Sequence, residues 1–268
     1  METGDRVGLK HWAIREQSRG RLIFWRLYSF VFTTTYVCLT WPASVSASEG
    51  YSLPQQSIIE PEFGEPMSAF FYPIGWSKDG KFAYVATRWL VADCGAIYEI
   101  HVLDLIADKI LWKYAVTKYC SQLPALGKDD SPNLALVWPE IKELVSKNVM
   151  RYNIVQSRLE LNKFPLSRPG ETIDADLSKT FYEHKPTMLQ MLEKATLKLI
   201  SRQKGEKVVY TGTFNSMLTQ DVHIAGYIKN SYENRIAIIL IVVPLGQHYA
   251  PGPVHYVVVG AHLEKRFR

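Results

Sequence analysis

The side chains best suited to acid–base or metal chemistry are His101, His184, His223, His248, His255 and His262, together with scattered carboxylates. His248, His255 and His262 recur every seven residues. On a strand that spacing alternates faces, and on separate loops it fixes nothing. No H-x-x-x-H pair and no Cys/His set occurs, so no metal site is expected. Asp174-Ala175-Asp176-Leu177-Ser178 opens like a calcium loop. It lacks the third ligand, the glycine and the closing glutamate that such a loop needs, and reads as a solvated loop. Ser77 stands in G-W-S-K-D-G, which is not the G-x-S-x-G elbow that aims a hydroxyl at a base. No glycine-rich phosphate cradle is present, so no cofactor is expected. A hydrolase assembled from separate loops would draw on Asp129, Asp130, Asp174, His248 and His255. Trp76, Trp89 and Trp112 have the chemistry of a sugar or peptide groove, but aromatics on strands more often build cores.

What positions these residues begins with the N-terminus. An apolar stretch over 27–41 follows Arg19, Arg21 and Arg26 and precedes Pro42-Ala43-Ser44-Val45-Ser46-Ala47. Small residues at positions 45 and 47 suit a signal peptidase, so cleavage is expected after Ala47. The alternatives are a retained anchor and a lipoprotein on Cys38. The stretch is about 15 residues, short of the roughly 20 that cross a bilayer. Tyr36-Val37 is the wrong context for a lipidated Cys38. The expected product is periplasmic or secreted, with no stable membrane span. The leader carries six of the 31 Lys/Arg and three of the 26 Asp/Glu, so the rest of the chain is close to neutral. That balance supplies no electrostatic footprint for nucleic acid.

Cys94 and Cys120 remain in the exported part and are expected to form one disulfide. Residues 97–105 and 110–119 alternate with period two around a polar turn at Ala107-Asp108-Lys109. The register that sets Asp104 opposite Ile110 also sets Cys94 opposite Cys120, within reach of an S–S bond. Such a clasp adds roughly 3 kcal/mol. Buried free thiols are the alternative; a C-x-x-C redox pair is absent.

Residues 48–68 carry Pro54, Pro61, Gly64 and Pro66 and read as an irregular lead-in to a single domain over 69–268. Strands are expected over 70–76 and 82–91, joined at Asp79-Gly80, and then over 97–105 and 110–119. A loop over 122–133 leads to an amphipathic helix from Pro139 to Tyr152, with Ile141, Leu144, Val145, Val149 and Tyr152 on its buried face. Residues 164–176 read as a loop and Pro186–Lys194 as a short helix, completing a helical insert over about 134–195. Strands resume over 197–201 and 208–214 around Gln203-Lys204-Gly205-Glu206, with a helix through Arg202 as the competing reading. Further strands follow over 222–229, 235–243 and 255–262. The run 236–243 is apolar on both faces and is expected to be a central, doubly covered strand. Two antiparallel meanders around a helical insert make an α+β domain.

The segment Trp76–Val85 aligns without gaps on Asn230–Ile239. Both read Ser, any residue, acid, Gly or Asn, base, apolar, Ala, apolar, apolar. Ser77, Asp79 and Gly80, and in the second copy Glu233, Asn234 and Arg235, are expected to shape the turns, with Gly80 and Asn234 left-handed and alanine allowing close strand approach. Glu233 and Arg235 are expected to form a surface pair of little energetic weight. The run Trp76–Tyr84 resembles the blade hairpin of periplasmic Tol-system β-propellers, which implies an incomplete or irregular propeller-like, all-β alternative, since a propeller needs at least four repeats. Ser77–Phe82, Ile100–Leu105 and Glu233–Ala237 together resemble a family of uncharacterised bacterial predicted secreted proteins, over about 70–262. That resemblance implies export and no established activity. The expected function is non-catalytic binding or scaffolding in the cell envelope, with an envelope protein or a small ligand as partner. The loop-built hydrolase is the alternative.

Overall fold

A computed structural model describes residues 51–57, 69–90, 94–123, 132–184, 189–214, 218–245 and 254–267, all within the unit Ser48–Arg268. The leader, Asp129, Asp130 and His248 lie outside the described residues.

The first meander forms as the alternation requires: β1 (Ala69–Trp76), β2 (Lys81–Leu90), β3 (Gly95–Asp104) and β4 (Lys109–Tyr119) pair antiparallel in order. A short β5 (Val155–Gln156) adds to the free edge of β1. The β3–β4 register differs from expectation by one residue at the turn, where Asp104 faces Lys109 and Leu103 faces Ile110. A bulge at Val102/Leu103 absorbs the slip, and the expected register holds from Val102–Trp112 to Gly95–Tyr119. The next pair outward is Cys94–Cys120, with the sulfurs 1.96 Å apart and the Cα atoms 5.5 Å apart.

One face of this sheet is covered by α1 (Trp138–Arg151), which follows a 3-10 turn at Leu134–Leu136. Proline in the first turn leaves no N–H to satisfy there. Its buried face is Trp138, Ile141, Val145, Ser146 and Val149, while Leu144 turns outward. Alternate residues of β2 and β3 (Ala83, Val85, Ala96, Tyr98, Ile100, Val102) meet the helix. The other face, with Phe71, Trp76, Phe82, Tyr84, Leu103 and Leu105, packs on the C-terminal sheet.

That C-terminal sheet is β10 (Thr219–Lys229), β11 (Arg235–Pro244) and β12 (His255–His262), with β11 in the centre. Every residue of 235–243 is buried. Ala237, Ile239, Ile241 and Val243 face the first sheet; Ile236, Ile238, Leu240 and Val242 face a third. The doubly covered strand is therefore found where the two-faced apolar run placed it.

The third sheet, β6 (Leu166–Arg168), β7 (Glu171–His184), β8 (Leu189–Ser201) and β9 (Gly205–Thr213), corrects the middle of the sequence reading. The expected loop at 164–176 holds β6 and the start of β7. From Leu189 the expected helix Pro186–Lys194 is the strand β8, which also replaces the competing helix as far as Ser201; residues 186–188 lie outside the described residues. Among the described residues the helical part of the insert is confined to the segment 134–151. A bulge opposite Thr180/Phe181 skips Glu193, so Leu192 shares a face with Ala195, Leu197 and Leu199. That flip in parity creates an i, i+3 spacing that imitates a helix. Asp174 and Asp176 are alternate, outward-facing residues of β7 rather than loop ligands.

The described residues thus form a mostly antiparallel β-fold with one α-helix, stacked as helix, first sheet, C-terminal sheet, third sheet. The last sheet in chain order lies between the other two, an order that successive propeller blades do not have. Among the described residues no helix is long and apolar enough to cross a membrane.

The echoing hairpins occupy equivalent places in β1–β2–β3 of the first sheet and in β10–β11–β12. Leu105 N–H, just after β3, donates to Gly80 O at 3.2 Å, and Leu263 N–H, just after β12, donates to Asn234 O at 2.7 Å. Gly80 is left-handed (φ 81°), as its turn requires, whereas Asn234 does not take positive φ. In the first turn Ser77 Oγ accepts from Lys81 N–H (2.8 Å) and donates to Asp79 Oδ1 (2.6 Å). Lys81 Nζ pairs with the Asp79 carboxylate, and the Lys81 and Ser77 hydrogen bonds hold that carboxyl below its ordinary range. In the second turn Asn230 Oδ1 takes the capping role, accepting from Tyr232 N–H (2.8 Å). The Glu233–Arg235 pair (2.7 Å) is no mere surface pair: Arg235 is buried and also donates to Leu105 O at 3.1 Å.

At one end of the third sheet, Glu171 is buried and accepts from Ser201 Oγ and Arg168 Nε, both at 2.6 Å, and from Lys204 Nζ at 3.0 Å. Burial opposes its ionisation, but these three donors outweigh it and bring its pKa down to about 2. A folded-state pKa below the ordinary 4.5 means the stabilisation is complete above about pH 5 and is lost as pH falls toward 2. Urea unfolding of the parent protein should therefore weaken more steeply across that window than that of Glu171→Gln. Parallel curves would dismiss the network as a source of stability.

Candidate functional site

The first and C-terminal sheets are pressed together at the Gly80/Asn234 end and part further along, where a cleft of about 310 Å³ opens. Its lining follows from strand parity. Residues 84, 86 and 88 of β2 and residues 99 and 101 of β3 project from the face opposite α1. Cross-strand pairing sets Tyr84 beside His101 and His101 beside Lys113 of β4. The next row sets Ala86 beside Glu99. Val254, His255 and Tyr256, at and just before the start of β12, form the opposite wall. Tyr256 is anchored by its hydroxyl, which donates to Ala69 O at 3.0 Å.

The electrostatics are set by burial and by three charges. Lys113 Nζ lies 2.8 Å from Glu99 Oε1. Burial works against the Glu99 carboxylate, yet the Lys113 hydrogen bond and charge, with Arg88 and His101 adding to them, hold its pKa below the ordinary value. His101 is 8% exposed and stacks on Tyr84, with ring centroids 4.9 Å apart and planes 3° from parallel. Burial first, and the Lys113 charge second, push its pKa down to about 4. His255 is shifted the same way by burial and then by Arg88. Both imidazoles are therefore neutral at pH 7, each offering one N–H donor and one bare nitrogen. Arg88 contributes an Nε that is buried without a hydrogen-bond partner.

Of the residues considered for a hydrolase, His255 is in this cleft. Asp174 stands on β7 of the third sheet, away from the lining, and the other three lie outside the described residues. Among the described residues no hydrogen bond joins Glu99 to either cleft histidine, and no three His, Cys, Asp or Glu side chains are grouped as metal ligands. The tryptophans build core. Trp76 packs on Phe82 between the sheets, and Trp89 and Trp112 lie on the helix-covered face. The sequence reading missed Arg88, Glu99, His101 and Lys113 as a group. The signal was present in the cysteine register, which, followed inward, sets His101 opposite Lys113.

No family model, curated protein or solved structure matches the chain.

Proposed function

We propose that Ser48–Arg268 is an α+β binding domain exported to the cell envelope or beyond, and that the cleft between its first and C-terminal sheets is its ligand site. One observation carries the binding reading: a concavity of about 310 Å³ gathers Arg88, Glu99, His101, Lys113 and His255 among tyrosine walls. Convergent polar groups in a partly apolar hollow are what a small-molecule site requires. Among the described residues no nucleophile and base meet there in hydrogen-bond contact, which favours binding over hydrolysis. Export is supported by the basic, apolar and small-residue order of the leader, by the Cys94–Cys120 clasp, and by the resemblance to predicted secreted proteins. Mass spectrometry of the natively produced protein should find Ser48 as the first residue. A retained Met1 would refute the export half. For binding, amide and side-chain NMR shifts should be followed while neutral, anionic and cationic small molecules are added. The expected result is perturbation confined to 84–88, 99–101, 113 and 254–256. Perturbation centred elsewhere would reject this cleft as the site.

A further inference from the structure

We infer that the cleft takes a small organic monocarboxylate, its acid group docked on the Arg88 guanidinium. This deepens the binding reading and rests on it. The charge inventory comes first. Lys113 is occupied by Glu99, and the two neutral histidines carry no charge, so among the described residues Arg88 is the cleft cation in no ion pair, and its Nε makes no hydrogen bond. Arg88 is half-buried in the cleft wall, and a charge-assisted hydrogen bond to a guanidinium partly shielded from water is stronger than a neutral one. The planar fork of arginine matches the two oxygens of a carboxylate. Lys113 meanwhile shields Glu99, so a cationic ligand finds no free counter-charge.

The remaining lining describes the body of the ligand. Tyr84, Ala86, Val254 and Tyr256 offer aromatic and aliphatic surface, which suits a short hydrocarbon or a single ring. A volume of about 310 Å³ sits at the lower end of small-molecule sites and is too small for a folded peptide or a long glycan. One net positive charge balances a monoanion. The second charge of a phosphate would have to be met by a proton on His255 or His101, both of which burial keeps neutral.

The test uses the whole disulfide-bonded protein and matched probes: acetate, butyrate and benzoate, their amides, benzylamine, and inorganic phosphate. Calorimetry gives affinity and NMR gives location. At least one carboxylate should bind roughly ten- to hundredfold more tightly than its amide. Arg88→Gln should abolish that margin while leaving the melting temperature and the amide affinity in place. Lys198→Gln, in an exposed ion pair on the third sheet outside the cleft lining, serves as a second variant and should leave the carboxylate preference intact. Amides binding in the cleft as tightly as the acids would overturn the carboxylate assignment and leave the binding reading standing. Tighter binding of benzylamine or of phosphate would overturn it likewise. No probe shifting the cleft resonances at millimolar concentration would sink both.

Discussion

Gly260→Ala should destabilise the protein by roughly 3 kcal/mol, although adding a methyl group to a strand glycine ordinarily helps. A Cβ at this position would lie 2.4 Å from Leu105 O and 2.6 Å from Leu105 Cβ. Gly260 pairs with the fully buried Ala237 across the C-terminal sheet, so two minimal side chains sit side by side where the sheets touch. The obstacle is a backbone carbonyl, not a movable side-chain tip. Leu105 O also accepts from Arg235 Nη1 at 3.1 Å, so pushing it aside strains a buried charged hydrogen bond. Urea denaturation is the measurement. Leu105→Ala in the same chain should not rescue the loss, because the carbonyl stays in place. A Gly260→Ala protein as stable as its parent would mean that the two sheets do not approach this closely.

Reducing the Cys94–Cys120 bond should lower the unfolding free energy by about 3 kcal/mol. The bond spans 26 residues, a loop long enough for its closure to restrict the unfolded chain substantially. It closes the open end of the β3–β4 hairpin, where Cys120 N–H donates to Cys94 O at 2.8 Å. β4 is an edge strand with much of its length exposed, so few other contacts would hold its end after reduction. Unfolding curves with and without reductant, compared with Cys94→Ser/Cys120→Ser, measure the effect. If reductant left the parent curve unmoved and the double variant were equally stable, the clasp would have no energetic role.

How much of this was legible in the sequence depends on how local the determining physics is. The run 236–243 declares its own environment, because only a strand covered on both faces tolerates apolar side chains at every position. The β1–β2 turn was readable from Asp79-Gly80, and α1 from Pro139 with its three-and-four spacing. The cysteine pairing needed only a hairpin register. What failed was β8, where the skipped Glu193 inverted the alternation partway along the strand and gave Leu192 and Ala195 a helical spacing. Asn234 failed for a related reason: the second turn is capped by Asn230 and needs no left-handed residue at 234. The cleft was less legible still. Arg88, Glu99 and Lys113 each look like ordinary strand polar residues, and only the docking of β12 over their face makes them neighbours of His255. That docking is a long-range event with no local signature.

Placing the C-terminal sheet between the other two has a consequence for biogenesis. A chain made, or threaded through a pore, from its N-terminus presents Phe71, Phe82 and Tyr84 long before Ala237, Ile239 and Ile241 arrive to cover them. The third sheet waits on the same delivery, since Leu197 and Leu199 are sealed by Ile238 and Leu240. Late residues thus close two interfaces at once, and until they arrive the uncovered apolar strands are open to premature association.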